Sequence, residues 1–68
     1  MSKLLNQTRA IKLLRAHGWE RSIGGKHSVK MIKPGFRPIT LPRHKGQDYS
    51  PGLTRAILTQ ARISPDQL

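Results

Sequence analysis

The sequence predicts an α+β fold in which two helices cover one face of a three-stranded antiparallel sheet. Three observations predict it: an apolar stripe at helical spacing near each end of the chain, three short strand-like runs between them, and glycine or proline at the junctions. Stacking both helices on one sheet face is the simplest two-layer arrangement that hides every apolar stripe. At 68 residues the chain makes a single domain, 1–68, near the lower size at which a hydrophobic core suffices without staples.

The first helix is expected over residues 2–17. Leu4, Gln7, Ala10, Ile11 and Leu14 fall on one stripe, and Arg9 and Lys12 fall away from it. Leu5 and Leu13 lie off the stripe, which makes the apolar face broad or two-sided. Ser2 is the expected N-cap, His17 suits the negative end of the helix dipole, and Gly18 supplies the left-handed residue past the end. Residues 19–23 and 27–33 then read as two strands joined by Gly24, Gly25 and Lys26. Val29 and Met31 share a face with His27, while Ser28, Lys30 and Ile32 face the other way, so the buried side of this strand is ambiguous from sequence. The Pro34-Gly35 pair marks a turn into a third strand over residues 36–41, with Ile39 and Leu41 on one side and Thr40 on the other.

Pro42 ends that strand and begins a polar, mostly basic loop, residues 43–49. Ser50 followed by Pro51 announces the second helix, with Leu53, Ala56, Ile57 and Ala61 as its apolar face. Arg62 closes it, Ile63 packs back, and Ser64, Pro65 and Asp66 repeat the cap-and-proline pattern for a short terminal turn. The open sheet face and the loops are expected to carry most of the basic side chains, notably Lys26, Lys30, Lys33, Arg37, Arg43 and Lys45.

Charge narrows the partners. Thirteen lysines and arginines against three acids give a formal net charge of +10, a balance that attracts polyanions with a steep salt dependence. The chain contains no cysteine, and its three histidines form no ligand cluster, so neither a disulfide framework nor a metal site is expected. Glu20, Asp48 and Asp66 are too scattered for paired-carboxylate or two-metal catalysis. No apolar run approaches the roughly 20 residues of a membrane span, and the first residues lack a cleavable leader pattern. The expectation is a cytoplasmic, soluble protein with no membrane partner and no small-molecule cofactor.

Cleaving RNA without a metal needs one group to take the proton of the attacking 2′-hydroxyl, one to return a proton to the leaving oxygen, and cations to hold the phosphate. An unperturbed imidazole has a pKa close to neutrality, and His27 follows a cationic glycine turn, so it is a candidate base or acid. Lys26 and Arg43 are the phosphate holders, arginine offering a planar bidentate fork. Gly24 and Gly25 let a phosphate approach the backbone, and Lys30 and His44 add to the same basic surface. His17 is explained by its place at a helix end. Trp19 and Tyr49 have rings that can stack on bases, although single aromatic residues in so small a core more often pack. Against catalysis stands the plainer reading of a non-catalytic RNA-binding module, and more distantly a small ribosome-associated protein.

Residues 13–19 (Leu-Leu-Arg-Ala-His-Gly-Trp), the run Gly24 to His27, residues 39–44 (Ile-Thr-Leu-Pro-Arg-His) and residues 56–64 (Ala-Ile-Leu-Thr-Gln-Ala-Arg-Ile-Ser) together resemble the HicA family of toxins, over nearly the whole chain. That resemblance implies a double-stranded-RNA-binding-domain-like sandwich of order α-β-β-β-α. It also implies the toxin of a type II toxin-antitoxin pair, an endoribonuclease that cleaves mRNA to inhibit translation and is neutralised by a HicB-type antitoxin. The family's catalytic histidine follows a glycine-led turn, and the matching position is His27. Lys26 departs from the family pattern, in which serine or glycine usually precedes the histidine. Pro42 to His44 is similar to the family's proline-histidine after the third strand.

Overall fold

The structure, a computed structural model, describes residues 4–22, 28–43 and 47–67. Its order is α1 (Gln7–Ala16), β1 (Glu20–Ser22), β2 (Ser28–Ile32), β3 (Ile39–Pro42), α2 (Pro51–Ala61) and a terminal 3₁₀ turn (Pro65–Gln67). The sheet is an antiparallel meander, β1-β2-β3, with both helices packed into one core on one of its faces. This is the α+β architecture that the sequence predicts.

α1 starts five residues later than expected. Asn6, not Ser2, is the N-cap: its side chain accepts from the Arg9 N–H at 2.8 Å, and its carbonyl accepts from the Ala10 N–H at 2.8 Å. Leu5 therefore lies ahead of the helix in non-helical backbone and is free to enter the core, where it is buried. Its place off the helical stripe follows from that. Ala10 and Leu14 form the fully buried centre of α1, and Ile11 and Leu13 pack beside them. Arg9, Lys12 and Arg15 are exposed, and the first turn holds no acid. A cation there opposes the helix dipole by a few tenths of a kcal/mol, roughly. Each like-charged i,i+3 pair adds about 0.2–0.5 kcal/mol of repulsion.

Gly18 follows the C-cap residue His17 with φ +90°, the left-handed geometry that the sequence predicts. Besides Arg15 in the last turn, the Lys33 ammonium supplies a cation at this helix end, reaching across to donate to the His17 carbonyl at 2.9 Å. Lys33 also lies 5.0 Å from the centre of the Phe36 ring. It is thus tied into the packing at this end of the sheet and is not one of the free cations of the open face, as the sequence suggested.

The register settles the ambiguous strand. β2 pairs Arg21 with Met31 on one side and Val29 with Leu41 on the other. Val29, Met31, Ile39 and Leu41 are buried, whereas Lys30, Ile32 and Thr40 are exposed. β3 begins at Ile39 rather than at residue 36, because Gly35 (φ +83°) and Phe36 belong to the preceding turn. Phe36 packs against Trp19, ring centres 5.3 Å apart, and is flanked by Lys33 and by Arg62 at 5.5 Å. Trp19 is buried just ahead of β1, and its indole N–H has no hydrogen-bond acceptor among the described residues.

α2 starts as expected, with the Ser50 hydroxyl accepting from the Leu53 N–H at 3.1 Å and Pro51 in the first turn. Its buried face is Thr54, Ile57, Leu58 and Ala61, with Leu53 partly buried. Ala56, expected inside, is exposed, so the buried stripe is rotated toward Thr54 and Leu58. Arg62 closes the helix in the left-handed region (φ 55°), which directs Ile63 back into the core. The Ile63 N–H donates to the Leu58 carbonyl at 2.9 Å.

Candidate functional site

The candidate site lies at the end of the sheet where β1 finishes, β2 starts and β3 finishes. Ser28 pairs with Pro42, and Lys30 is flanked by Ser22 and Thr40. The antiparallel turn of the chain thereby makes neighbours of two segments fourteen positions apart in sequence. Gly24, Gly25, Lys26, His27, His44 and Lys45 lie outside the described residues. The structure does describe their flanks and two of the predicted phosphate-binding residues, Lys30 and Arg43. Lys30 stands exposed on the outer face of the central strand, and Arg43 is exposed immediately past the end of β3. They occupy different parts of this end, one on the sheet face and the other on its rim.

This rim is held by a set of polar contacts that sequence reasoning missed. Tyr49 is fully buried, and its hydroxyl donates to the Pro42 carbonyl, while its backbone N–H donates to the Leu5 carbonyl at 2.6 Å. Leu5 in turn donates through its own N–H to the buried Thr54 hydroxyl of α2 at 3.2 Å. The Gln7 amide donates to the Leu41 carbonyl of the edge strand β3 at 3.1 Å. The Asn6 amide donates to Asp48 at 3.3 Å. Segment 4–7, the end of β3, the approach to α2 and α2 itself are thus tied together beneath Arg43.

The arrangement has a physical reason. Pro42 lacks an N–H and so removes a ladder donor at the end of β3, and its part-buried carbonyl needs a donor. The phenol supplies one from seven residues downstream, so the intervening loop is closed by its own last residue. Burial pushes the Tyr49 hydroxyl above the ordinary phenol range, which keeps it a proton donor. The sequence offered one signal for this role, a lone tyrosine after a polar loop and before a helix cap, and it was compatible with stacking as well as packing. Burial of Tyr49 and Trp19 assigns both rings to packing.

Among the described residues no three side chains of the metal-binding types cluster, and no helix is long and apolar enough to cross a membrane. The chemistry this end can offer is cationic and hydrogen-bonding: an arginine on a fixed rim, a lysine on the adjoining sheet face, and backbone ends of two strands.

Comparison with known proteins places this geometry. A search of curated proteins gave no significant match. Among solved structures, a chain of a toxin-antitoxin complex from Streptococcus pneumoniae is similar over 87% of this chain and 98% of its own, with 38% identity and a TM-score of 0.76. The family model described as the HicA toxin of bacterial toxin-antitoxin systems matches residues 8–63, a span that runs from the second residue of α1 through the whole sheet and α2 to Ile63. The chain belongs to the HicA toxin family.

Proposed function

We propose that this chain is the toxin of a toxin-antitoxin pair and acts as an endoribonuclease on mRNA, without a metal, with His27 as the proton-transferring residue. The observation that carries this reading is the ladder between β2 and β3. Its last pair is Ser28 with Pro42, and the residues that adjoin this pair in the sequence are His27 and Arg43. In this reading an imidazole and a guanidinium meet at one rim, the first to move a proton and the second to hold the phosphate. The 2′-hydroxyl oxygen attacks phosphorus, the bond to the 5′-oxygen breaks, and His27 either takes the hydroxyl proton or supplies one to the leaving oxygen, water carrying the other proton. Gly25 leaves room for the backbone of the substrate, and Lys26, Lys30 and His44 add positive charge around it. The site of action is the cytoplasm, where mRNA is met.

The similar structure is a toxin-antitoxin complex. By that likeness, and by the excess of positive charge, this toxin is neutralised by an antitoxin of the HicB type, whose acidic groups compete with RNA for the same cations. Replacing His27 by alanine tests the catalytic assignment. The folded variant should lose RNA cleavage and growth arrest while retaining RNA binding. Persistence of both activities would return the protein to the second reading, an RNA-binding module that does not cleave.

A further inference from the structure

We propose that the outer face of α1 is a second RNA-binding surface, on which Arg9, Lys12 and Arg15 hold consecutive backbone phosphates leading to the rim at Arg43. This rests on the reading of RNA as the substrate and adds a subsite to it.

The three residues recur every third position and are all exposed. At about 100° per residue, Lys12 lies opposite the buried side chains of Ala10 and Leu14, with Arg9 and Arg15 on either flank. Their axial span is about 9 Å. Long side chains at that spacing can reach neighbouring phosphates of one strand. No carboxylate pairs with any of them among the described residues. A face serving only solubility usually mixes signs and gains i,i+4 pairs. Two local effects work against the helix: Arg9 sits at the positive end of the dipole and each neighbouring pair repels, whereas Arg15, in the last turn, suits the negative end. An external polyanion removes both penalties. The exposed face of α2 provides the contrast, with Arg55 beside Ala56, Thr59 and Gln60.

Position supports the same occupant. α1 contacts all three strands, and its first residue, Gln7, is bonded to the Leu41 carbonyl close to the rim. The other end reaches His17 and Lys33 at the far end of the sheet. A strand laid along α1 would therefore run from the far end of the molecule to Arg43.

The test is equilibrium binding of a single-stranded RNA oligonucleotide by full-length protein carrying His27→Ala to prevent cleavage, between about 50 and 200 mM salt. Parent protein is compared with Arg9→Gln/Lys12→Gln/Arg15→Gln and with a charge-matched control, Arg21→Gln/Arg37→Gln/Arg55→Gln, whose three sites are also exposed. Three lost phosphate contacts should reduce the slope of log affinity against log salt by about 2, at about 0.7 per contact. The control should change it by less than half as much. Circular dichroism confirms that both variants are folded. An unchanged slope in the α1 variant, or equal losses in both variants, overturns the proposal, the latter by making net charge the cause. Loss of antitoxin binding with RNA binding intact also overturns it, by assigning the face to a protein partner. Failure of the parent to bind RNA at all refutes the underlying RNA reading itself.

Discussion

Replacing Tyr49 by phenylalanine isolates the hydroxyl that anchors the rim. The ring is fully buried and stays in place, so the change removes the oxygen and its proton and leaves the Pro42 carbonyl without that donor. A part-buried acceptor deprived of its partner costs about 1–2 kcal/mol. For a domain of this size each kcal/mol lowers the melting temperature by about 4–8 °C, so a fall of about 5–15 °C is expected. Total stability at this length is only about 3–10 kcal/mol, so the loss is easily read. Urea denaturation should show a lower midpoint with an unchanged slope, because the surface exposed on unfolding hardly changes. A pH series adds a second signature. The neutral phenol is favoured by burial, so its contribution is complete below the ordinary phenol value of about 10 and is lost as pH rises through the higher folded-state value. Wild-type stability should therefore fall more steeply above about pH 10 than that of the Phe variant. Equal urea midpoints for the two proteins at neutral pH would show that the hydroxyl does not secure Pro42.

Other outcomes follow from single contacts. Asn6→Ala should cost about 1 kcal/mol in chemical denaturation, and a neutral result would return the start of α1 to an earlier residue. Gly35→Ala should cost about 1–2 kcal/mol through its left-handed backbone alone, since no atom lies within 4 Å of the added carbon. The same substitution to Asn should recover part of the loss. Leu14→Ala, at a fully buried position of α1, should cost about 2–5 kcal/mol and leave the protein close to its unfolding threshold at room temperature. Lys33→Met keeps an unbranched side chain beside Phe36 but removes the ammonium from the His17 carbonyl. The loss, about 1 kcal/mol, should be visible as a lower thermal midpoint.

Elements with strong local punctuation were legible. Ser50 and Pro51 start α2 where expected, Gly18 ends the α1 region, and the Pro34-Gly35 turn separates β2 from β3, because capping and left-handed backbone depend on neighbours within a few residues. The start of α1 was less legible. Ser2 and Asn6 are both good caps, and the choice between them depends on Leu5, which is drawn out of the helix by Tyr49 and Thr54 from more than forty residues away. Ala56 was misplaced for a related reason: its helix packs mainly along β3 and the Leu5 segment, which selects Thr54 and Leu58 for burial. Of the candidate site, Lys30 and Arg43 are exposed, Lys30 on the outer sheet face and Arg43 just past β3, while Tyr49 as the anchor of that end was not foreseen. A side chain meeting a carbonyl seven residues upstream leaves no periodic trace.

By itself the sequence determined the number and order of the elements, the polyanion-seeking charge and the family pattern, because each is written in composition, short-range spacing or motif order. Only the tertiary structure decided which face of β2 is buried, that Ser28 and Pro42 stand side by side, and that Lys33 closes a helix end instead of facing solvent. Those choices are set by contacts between distant segments. Their free energy is gained only when the sheet and both helices close on one core, so no short stretch of the chain records them.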